Sequence, residues 1–162
     1  MAKTAGSIRV SKWENSIYHE DGVRKEYSEL SKGRQDAVKV ELKSVQKAMF
    51  SNLQDKQVTL NADDKTIEVG FTRKGVNHTA RDAMMTLSGK YMSRDSMINI
   101  DRILQQAEYV PTDHSLYKGR NDGIEYFFKY KDKQGRGIYF KVAYEPKQGQ
   151  GKKYYLRSVT DK

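Results

Sequence analysis

The last quarter of the chain alternates between large apolar and other side chains, and this alternation is the strongest constraint on its fold. Residues 124–130, IEYFFKY, and residues 138–144, IYFKVAY, place bulky side chains at every second position. A period of two is typical of β-strands that bury one face. DKQGRG makes the turn between them, and after a looser turn YYLRSVT, residues 154–160, forms a further strand. The segment therefore predicts an antiparallel meander.

The alternation also predicts which side chains leave the core. If Ile138 faces the helices, the residues between the inward positions stand on the open face of the sheet. These residues are Phe127, Lys129, Tyr139 and Lys141. The final strand gives contradictory signals, because Leu156 and Val159 are three residues apart and point to opposite faces of a regular strand. The sequence does not decide which side chains of this strand face the core.

The preceding part of the chain has helical periods. From about Ser31 to Leu53, apolar residues recur at steps of four and three, which predicts a long amphipathic helix. Residues 57–71 predict a hairpin, and Gly75 is expected to break its second strand. Two shorter helices are predicted, one after Gly75 and one that Ser93 caps and Pro111 stops.

Helices followed by a sheet indicate the α+β fold class. We expect N-terminal helices packed on one face of a four-stranded antiparallel sheet formed by the C-terminal half. Residues 1–56, an irregular arm plus the long amphipathic helix, are expected to be an extension of a domain at residues 57–162. The two parts should form one compact unit.

Basic side chains are concentrated in the predicted sheet. Residues 118–162 contain 12 basic and five acidic side chains, a net charge of +7, whereas residues 1–117 contain 18 and 16, a net charge of +2. Lysine and arginine neutralise phosphates, and aromatic rings stack on bases, so a basic aromatic sheet suits a nucleic acid. The alternative interpretation is a basic surface that only keeps the protein in solution.

Several classes of chemistry are disfavoured. The absence of cysteine excludes thiol nucleophiles and thiolate metal sites. The histidines lack metal-ligand spacing, and the chain has no serine-hydrolase or phosphate-loop motif, so no metal or other cofactor is predicted. No apolar run is long enough to cross a bilayer, and the N-terminus lacks a signal core. We therefore expect a cytoplasmic protein without a membrane partner.

Metal-free cleavage of RNA is compatible with the residue types present. In this reaction the ribose 2′-hydroxyl attacks the adjacent phosphate, so the enzyme supplies no nucleophile. It needs a base, an acid, and cations or hydrogen-bond donors for the charged phosphorane. Histidine can accept or donate the proton near neutral pH, and lysine or arginine can bind the phosphate.

Four features of the chain follow one another in a characteristic order. They are a leading helical region, a histidine at a helix start in GVNH, a helix ending in ILQQAEYV, and a basic sheet ending in YYLRSVT. This order resembles the barnase–EndoU–colicin–RelE-like RNase superfamily, in particular its domains in large polyvalent proteins of phages and mobile elements. The resemblance covers about residues 57–162. It implies a metal-independent RNA endonuclease of toxin or mobile-element type.

The resemblance assigns catalytic roles to individual residues. His78 is the candidate base, and His114 is the candidate acid. Lys141 is the cation on a central strand, and Ser158 and Thr160 are the polar pair that holds the phosphate on the last strand. For His78 the alternative is a surface residue close to a helix start.

Five residues are predicted to bind the nucleic acid around this centre. They are Lys129, Arg136, Tyr139, Tyr154 and Arg157. Tyr154 or Arg157 could also replace His114 as the acid. A protein inhibitor is a further candidate partner, as is usual for toxins.

Two other functions fit the same sequence. The chain could be a non-catalytic nucleic-acid-binding domain of a phage or mobile-element polyprotein. It could also be a protein-interaction module whose aromatic sheet docks another chain. Cleavage of RNA, or binding without cleavage, would separate these functions.

Overall fold

The computed structural model of the protein describes residues 15–62, 65–111, 125–131, 137–144 and 154–160. A 3-10 turn, Asn15–Tyr18, leads into a short hairpin formed by β1 (His19–Glu20) and β2 (Val23–Arg24). The Tyr18 ring is fully buried, and its hydroxyl donates a 2.7 Å hydrogen bond to the Met84 carbonyl. This contact ties the N-terminal hairpin to the helical layer, and burial raises the pKa of Tyr18.

The long helix predicted from the period of its apolar residues is α1, Lys32–Leu53. The side chain of Ser31 caps it by accepting from the Arg34 amide. The predicted stripe is the buried side of the helix: Val38, Leu42, Val45, Met49 and Leu53. The prediction of this helix is confirmed because period, cap and burial agree.

The predicted hairpin is β3 (Val58–Ala62) paired with β4 (Lys65–Gly70). The next helix, α2 (Arg73–Arg81), starts at a Thr72 cap and continues into a π-helical turn, Asp82–Thr86. The expectation that Gly75 breaks the preceding strand is wrong, because Gly75 lies inside α2.

The helix predicted between Ser93 and Pro111 is divided in two. Ser93 does cap α3 (Arg94–Ile98), and α4 (Ile100–Gln105) follows after Asn99. The Asn99 side chain donates to the Asp95 carbonyl at 3.0 Å. The Asn99 amide also donates to the Asp95 carbonyl, at 3.1 Å, and the break lies in the backbone of Asn99, whose φ of −107° and ψ of 34° are not helical. After α4, the chain forms a three-residue strand, β5 (Glu108–Val110), that the sequence patterns do not predict.

The remaining strands are β6 (Glu125–Lys131), β7 (Gly137–Tyr144) and β8 (Tyr154–Thr160). The main sheet has six strands in the order β3-β4-β8-β7-β6-β5 and is curled almost into a barrel. The expected four-stranded antiparallel sheet is therefore wrong in strand number. The observed sheet is also mixed rather than purely antiparallel, because β4 and β8 pair in parallel through Val69↔Tyr154 and Gly70↔Tyr155. The β3–β4 hairpin, which precedes α2 in the chain, belongs to the same sheet as the C-terminal strands. The predicted α+β fold class is confirmed.

A β-bulge in β8 reconciles the contradictory signals of the last strand. Lys141 pairs with Ser158, whereas the next residue, Val142, pairs with Leu156, so Arg157 is an extra residue opposite the junction. The bulge lets both Leu156 and Val159 reach the core, where they are 1% and 3% exposed.

The core lies between the helices and one face of the curled sheet. Alternate residues of β6 and β7, and two residues of β8 on either side of the bulge, supply its sheet side: Tyr126, Phe128, Tyr130, Ile138, Phe140, Val142, Leu156 and Val159. The curl is visible in a contact between strands that are not neighbours, since Lys65 Nζ of β4 donates to the Tyr126 hydroxyl of β6 at 3.4 Å. On the opposite face Phe127, Lys129, Tyr139 and Lys141 are half-buried, and they belong to the site described next.

Candidate functional site

A small open pocket of about 50 Å³ lies where α2 packs against β8. Its lining is cationic and polar: Thr72, Lys74, Gly75, His78 and Arg157. The first four run from the Thr72 cap of α2 to His78, and Arg157 comes from the bulge of β8. The expectation that His78 lies at a helix start is wrong, because α2 already begins at Arg73 and His78 belongs to its last turn. The pocket thus joins two segments that are about 80 residues apart in the chain.

Gly75 determines how closely α2 packs against β8. A Cβ atom built on Gly75 would lie 2.2 Å from the Leu156 carbonyl oxygen, so only glycine lets the helix approach the strand this closely. The Thr72 hydroxyl caps the helix by accepting from the Gly75 amide at 3.0 Å. Cap and close approach together bring His78, one turn further on, beside Arg157.

His78 has a carboxylate neighbour on its own helix. Its Nε2 atom lies 3.8 Å from Oδ2 of Asp82, one turn later, and the side chain of His78 is 54% exposed whereas that of Asp82 is 19% exposed. Burial raises the pKa of Asp82, and the charges of His78, Arg81 and Lys141 act against that shift. An exposed imidazole next to a largely buried carboxylate is an arrangement in which the carboxylate can orient the ring.

Lys141 connects this pocket with the sheet. Its charge acts on Asp82, and its ammonium lies 3.8 Å from Oε2 of Glu125. On β7 and β8, Lys141 stands opposite Ser158, and Tyr139 stands opposite Thr160. The predicted cation and the predicted polar pair are therefore cross-strand neighbours.

The face of β6 and β7 beyond Lys141 carries paired lysines and rings. We call Phe127, Lys129, Tyr139 and Lys141 the lysine–aromatic face. Phe127 stands opposite Lys141, and Lys129 stands opposite Tyr139. The ammonium of Lys129 lies 5.3 Å from the Tyr139 ring centroid, and that of Lys141 lies 6.0 Å from the Phe127 centroid, which are cation–π distances. A hydrogen bond with the Tyr139 side chain raises the pKa of Lys129, which keeps this amine charged.

The structure brings most of the predicted site residues into one region but not all of them. His78 and Arg157 share the pocket, and the neighbouring sheet face holds the others: Lys129, Tyr139, Lys141, Ser158 and Thr160. Tyr154 is separate, because its ring contacts that of buried Tyr126, with centroids 5.9 Å apart. His114 and Arg136 lie outside the described residues.

Sequence reasoning missed four residues of this region: Thr72, Lys74, Asp82 and Phe127. Asp82 had a signal, since a carboxylate four residues after a histidine on a helix faces the same side. Phe127 was placed on the correct face without being assigned a role. Thr72 and Lys74 had no signal, because their importance depends on where β8 meets α2.

Two findings limit what the described residues can hold. In ranges 15–62, 65–111, 125–131, 137–144 and 154–160, no group of three or more acidic or histidine side chains is arranged to bind a metal ion. Within these same ranges, the helices are too short or too polar to span a bilayer.

Fold and site together define an α+β domain with a curled six-stranded sheet and a cationic, aromatic face next to a histidine-bearing helix. The chain belongs to the large polyvalent protein-associated domain 3 family, whose model matches residues 37–160. The match begins inside α1 and extends to the end of β8. No curated protein and no solved structure gives a significant match. The predicted association with large polyvalent proteins is confirmed, whereas the relationship to the RNase superfamily stays a prediction.

Proposed function

We propose that this domain binds RNA in the pocket between α2 and β8 and cleaves it by transesterification, with His78 as the base. The observation that carries the proposal is the meeting of an exposed histidine with Arg157 and Lys74 in one pocket. A histidine that removes the 2′ proton must stand beside cations that hold the adjacent phosphate. These residue types converge here from distant parts of the chain.

The reaction would use the residues as follows. The imidazole of His78 takes the proton of the 2′-hydroxyl, and the 2′ oxygen attacks phosphorus. Arg157 and Lys141 stabilise the charge of the phosphorane, and Ser158 and Thr160 donate hydrogen bonds to its oxygens. The bond to the 5′ oxygen breaks, which leaves a 2′,3′-cyclic phosphate. An acid, for which His114 stays the candidate, protonates the departing oxygen.

Asp82 would act as a positioning residue in this scheme. Its carboxylate lies on the Nε2 side of the His78 ring. A hydrogen on Nε2 would be attracted to that carboxylate, which leaves Nδ1 as the proton acceptor. The exposed fraction of His78, 54%, gives a ribose access to the ring.

The test is incubation of the pure protein with total RNA and with tRNA in EDTA, beside His78→Ala. We expect cleavage with 2′,3′-cyclic ends, and a loss of at least about 100-fold in rate for His78→Ala, since general base catalysis contributes at least that factor. The matched control is His19→Ala, which removes a histidine from the β1–β2 hairpin. RNA that stays intact, or equal cleavage by His78→Ala, would contradict the proposal.

A non-catalytic RNA-binding domain is the second candidate function. It is favoured by the 3.8 Å separation of His78 Nε2 and Asp82 Oδ2, which is longer than a hydrogen bond, so in this geometry Asp82 does not hold the ring as it would in a catalytic pair. In that case RNA would remain intact but would shift in a gel, and its affinity would fall steeply with salt as phosphate contacts are lost. His78→Ala would then bind almost as well as the parent protein.

A further inference from the structure

We infer that the lysine–aromatic face binds a single-stranded RNA segment whose bases stack on Phe127 and Tyr139. The inference rests on the proposed function for the presence of RNA, and it adds the class of RNA, a stacking role for Tyr139 and one new contact residue, Phe127. It starts from two neighbouring cross-strand pairs of β6 and β7, each of which joins one aromatic ring and one lysine. Phe127 is uncharged and has no role in the proposed cleavage, so its contact with RNA is a separate inference.

The four side chains form a two-by-two pattern. In the antiparallel register, Phe127 and Tyr139 are diagonal neighbours, and so are Lys129 and Lys141. Diagonal positions of this kind are about 7 Å apart. This distance is about twice the 3.4 Å rise between stacked nucleotides in a helical strand. The two rings therefore suit bases of an extended strand rather than bases stacked on each other.

Each ring already has a charged partner that a nucleotide can replace. The ammonium groups of Lys129 and Lys141 lie 5.3 and 6.0 Å from the two ring centroids. A base that stacks on the ring displaces the ammonium, which can then move to the phosphate of the same nucleotide. Stacking of a base on a ring is stronger than a solvent-exposed cation–π contact, and the released lysine gains a phosphate.

Two carboxylates border the face and sharpen its selectivity. Glu125 lies 3.8 Å from Lys141, and Glu108 stands opposite Lys129 in β5. Phosphates must compete with these carboxylates for the lysines, so phosphate contacts alone give little affinity at this face. The rings must then supply the difference, which favours a ligand that has both phosphates and accessible bases.

A duplex and a peptide fit this face less well. The base faces of a duplex are already stacked on each other, so they cannot reach Phe127 and Tyr139. A peptide that adds a β-strand needs the free edge of a sheet. β6 and β7 are interior strands of the six-stranded sheet, so they have no free edge.

The face is also continuous with the proposed cleavage site. Lys141 belongs to the face, and its cross-strand partner Ser158 is next to Arg157, which lines the pocket together with His78. A strand held on Phe127 and Tyr139 would therefore lead toward the pocket of His78 and Arg157. The stacking face would hold the RNA on one side of the bond that is cut.

The experiment is a binding assay with a fluorescent 2′-O-methyl oligonucleotide of about ten nucleotides, which has no free 2′-hydroxyl and cannot be cleaved by the proposed reaction. Two further probes are the same strand with abasic residues and a hairpin duplex of equal charge. The variants are Phe127→Leu and Tyr139→Leu, which keep apolar volume but remove the ring. The matched controls are Tyr139→Phe, which keeps the ring, and Lys131→Ala, which removes an exposed lysine at the end of β6.

We expect the intact strand to bind the parent protein more tightly than the abasic strand and the duplex. Each leucine variant should lose roughly tenfold in affinity for the intact strand, the scale of one stacked base, and almost nothing for the abasic strand. Tyr139→Phe keeps the ring and should therefore keep the preference for the intact strand over the abasic strand, and Lys131→Ala should weaken the intact and abasic strands equally. Circular dichroism and the melting temperature establish that each variant is folded.

The inference is overturned if the leucine variants bind the intact strand like the parent. It is also overturned if they lose affinity equally for the intact and abasic strands, or if the duplex binds as tightly as the single strand. These outcomes are independent of cleavage, since the probe is not a substrate. Cleavage that depends on His78 together with unaltered binding by the leucine variants would keep the proposed function and discard the stacking face.

Discussion

Phe127 and Phe128 are adjacent on β6, yet they belong to different environments. Phe128 is 0% exposed in the core, opposite Phe140 on β7. Phe127 points to the other face, is half-buried, and stands opposite Lys141 with its ring 6.0 Å from that ammonium. The same residue type thus supplies burial at one position and a ring for cation–π contact at the next.

The difference follows from the pleat of the strand and teaches how the two faces divide their tasks. Successive side chains of a strand point to opposite faces. On the core face, aromatic rings contact other apolar groups and contribute to stability. On the other face the rings contact lysines, whose side chains can exchange partners. In the proposed function, the side chains that bind RNA are therefore separate from the side chains that stabilise the fold.

The strongest test of this comparison is to remove the two rings one at a time. Phe128→Ala should lower the free energy of unfolding by about 3–5 kcal/mol, because it leaves a cavity in the core. Phe127→Ala should cost less than about 1.5 kcal/mol, the scale of a partly exposed ring contact. Urea unfolding of both variants measures the difference. Equal losses of stability would mean that Phe127 is also a core residue and would break the comparison.

A second test concerns the attachment of α2, which places the histidine pocket next to the lysine–aromatic face. Gly75→Ala puts a Cβ atom 2.2 Å from the Leu156 carbonyl oxygen, so helix and strand must separate. We expect a loss of about 1–3 kcal/mol in unfolding free energy, as for other overpacked positions. The melting temperature should fall by about 2–4 °C for each kcal/mol. RNA cleavage should fall as well, since His78 moves away from Arg157.

The matched control for this substitution is Gly33→Ala on α1. A Cβ atom built on Gly33 meets nothing within 4 Å. Alanine is a better helix former than glycine by about 0.5–1 kcal/mol, so the control should be neutral or slightly stabilising. A loss of stability at Gly33 as large as that at Gly75 would show that close packing on β8 is not the cause.

The smallest expected effect on stability comes from deleting the extra residue of the bulge. Without Arg157, Leu156 and Ser158 become consecutive and keep their partners Val142 and Lys141. The strand becomes regular, and we expect a change of about 1 kcal/mol or less in unfolding free energy, comparable to an ordinary surface change. Binding of RNA should nevertheless fall, because the pocket loses its arginine.

Deletion of Lys141 is the contrasting variant for this prediction. β7 has no extra residue to lose, so removing one residue turns part of its side chains to the wrong face. Thermal unfolding should show a folded protein for the Arg157 deletion and a severely destabilised one for the Lys141 deletion. If both deletions unfold the protein, the bulge is essential to the sheet, and presenting Arg157 is not its only role.

The elements that could be predicted from the sequence are those whose signal is local. The stripe from Val38 to Leu53 predicts the buried face of α1. The residue type of Ser93 predicts that it caps the helix that follows it, α3. The turn formers between β3 and β4 predict the hairpin. The alternation within β6 and β7 is sufficient to place Phe127, Lys129, Tyr139 and Lys141 on a common face, and the strand register agrees with it. In each case, residues two to four positions apart carry the signal.

Errors occurred where a decision depends on distant residues. The parallel pairing of β4 and β8 joins residues about 85 positions apart. No local sequence pattern therefore indicates that the β3–β4 hairpin extends the sheet to six strands. Gly75 has the residue type that ends a strand, although its role is to let α2 approach β8. The break at Asn99 is an exception, because it is local: the helical period of the apolar residues continues across a residue whose backbone angles are not helical.

The sequence by itself determined the amphipathic elements, the α+β class and the concentration of positive charge in residues 118–162, because periodicity and composition act within single segments of the chain. Only the tertiary structure decided that the early hairpin joins the late strands, that a bulge lets both Leu156 and Val159 face the core, and that Arg157 meets His78. These outcomes depend on packing between segments that are far apart in the chain. Close packing selects one arrangement among many that the local patterns allow.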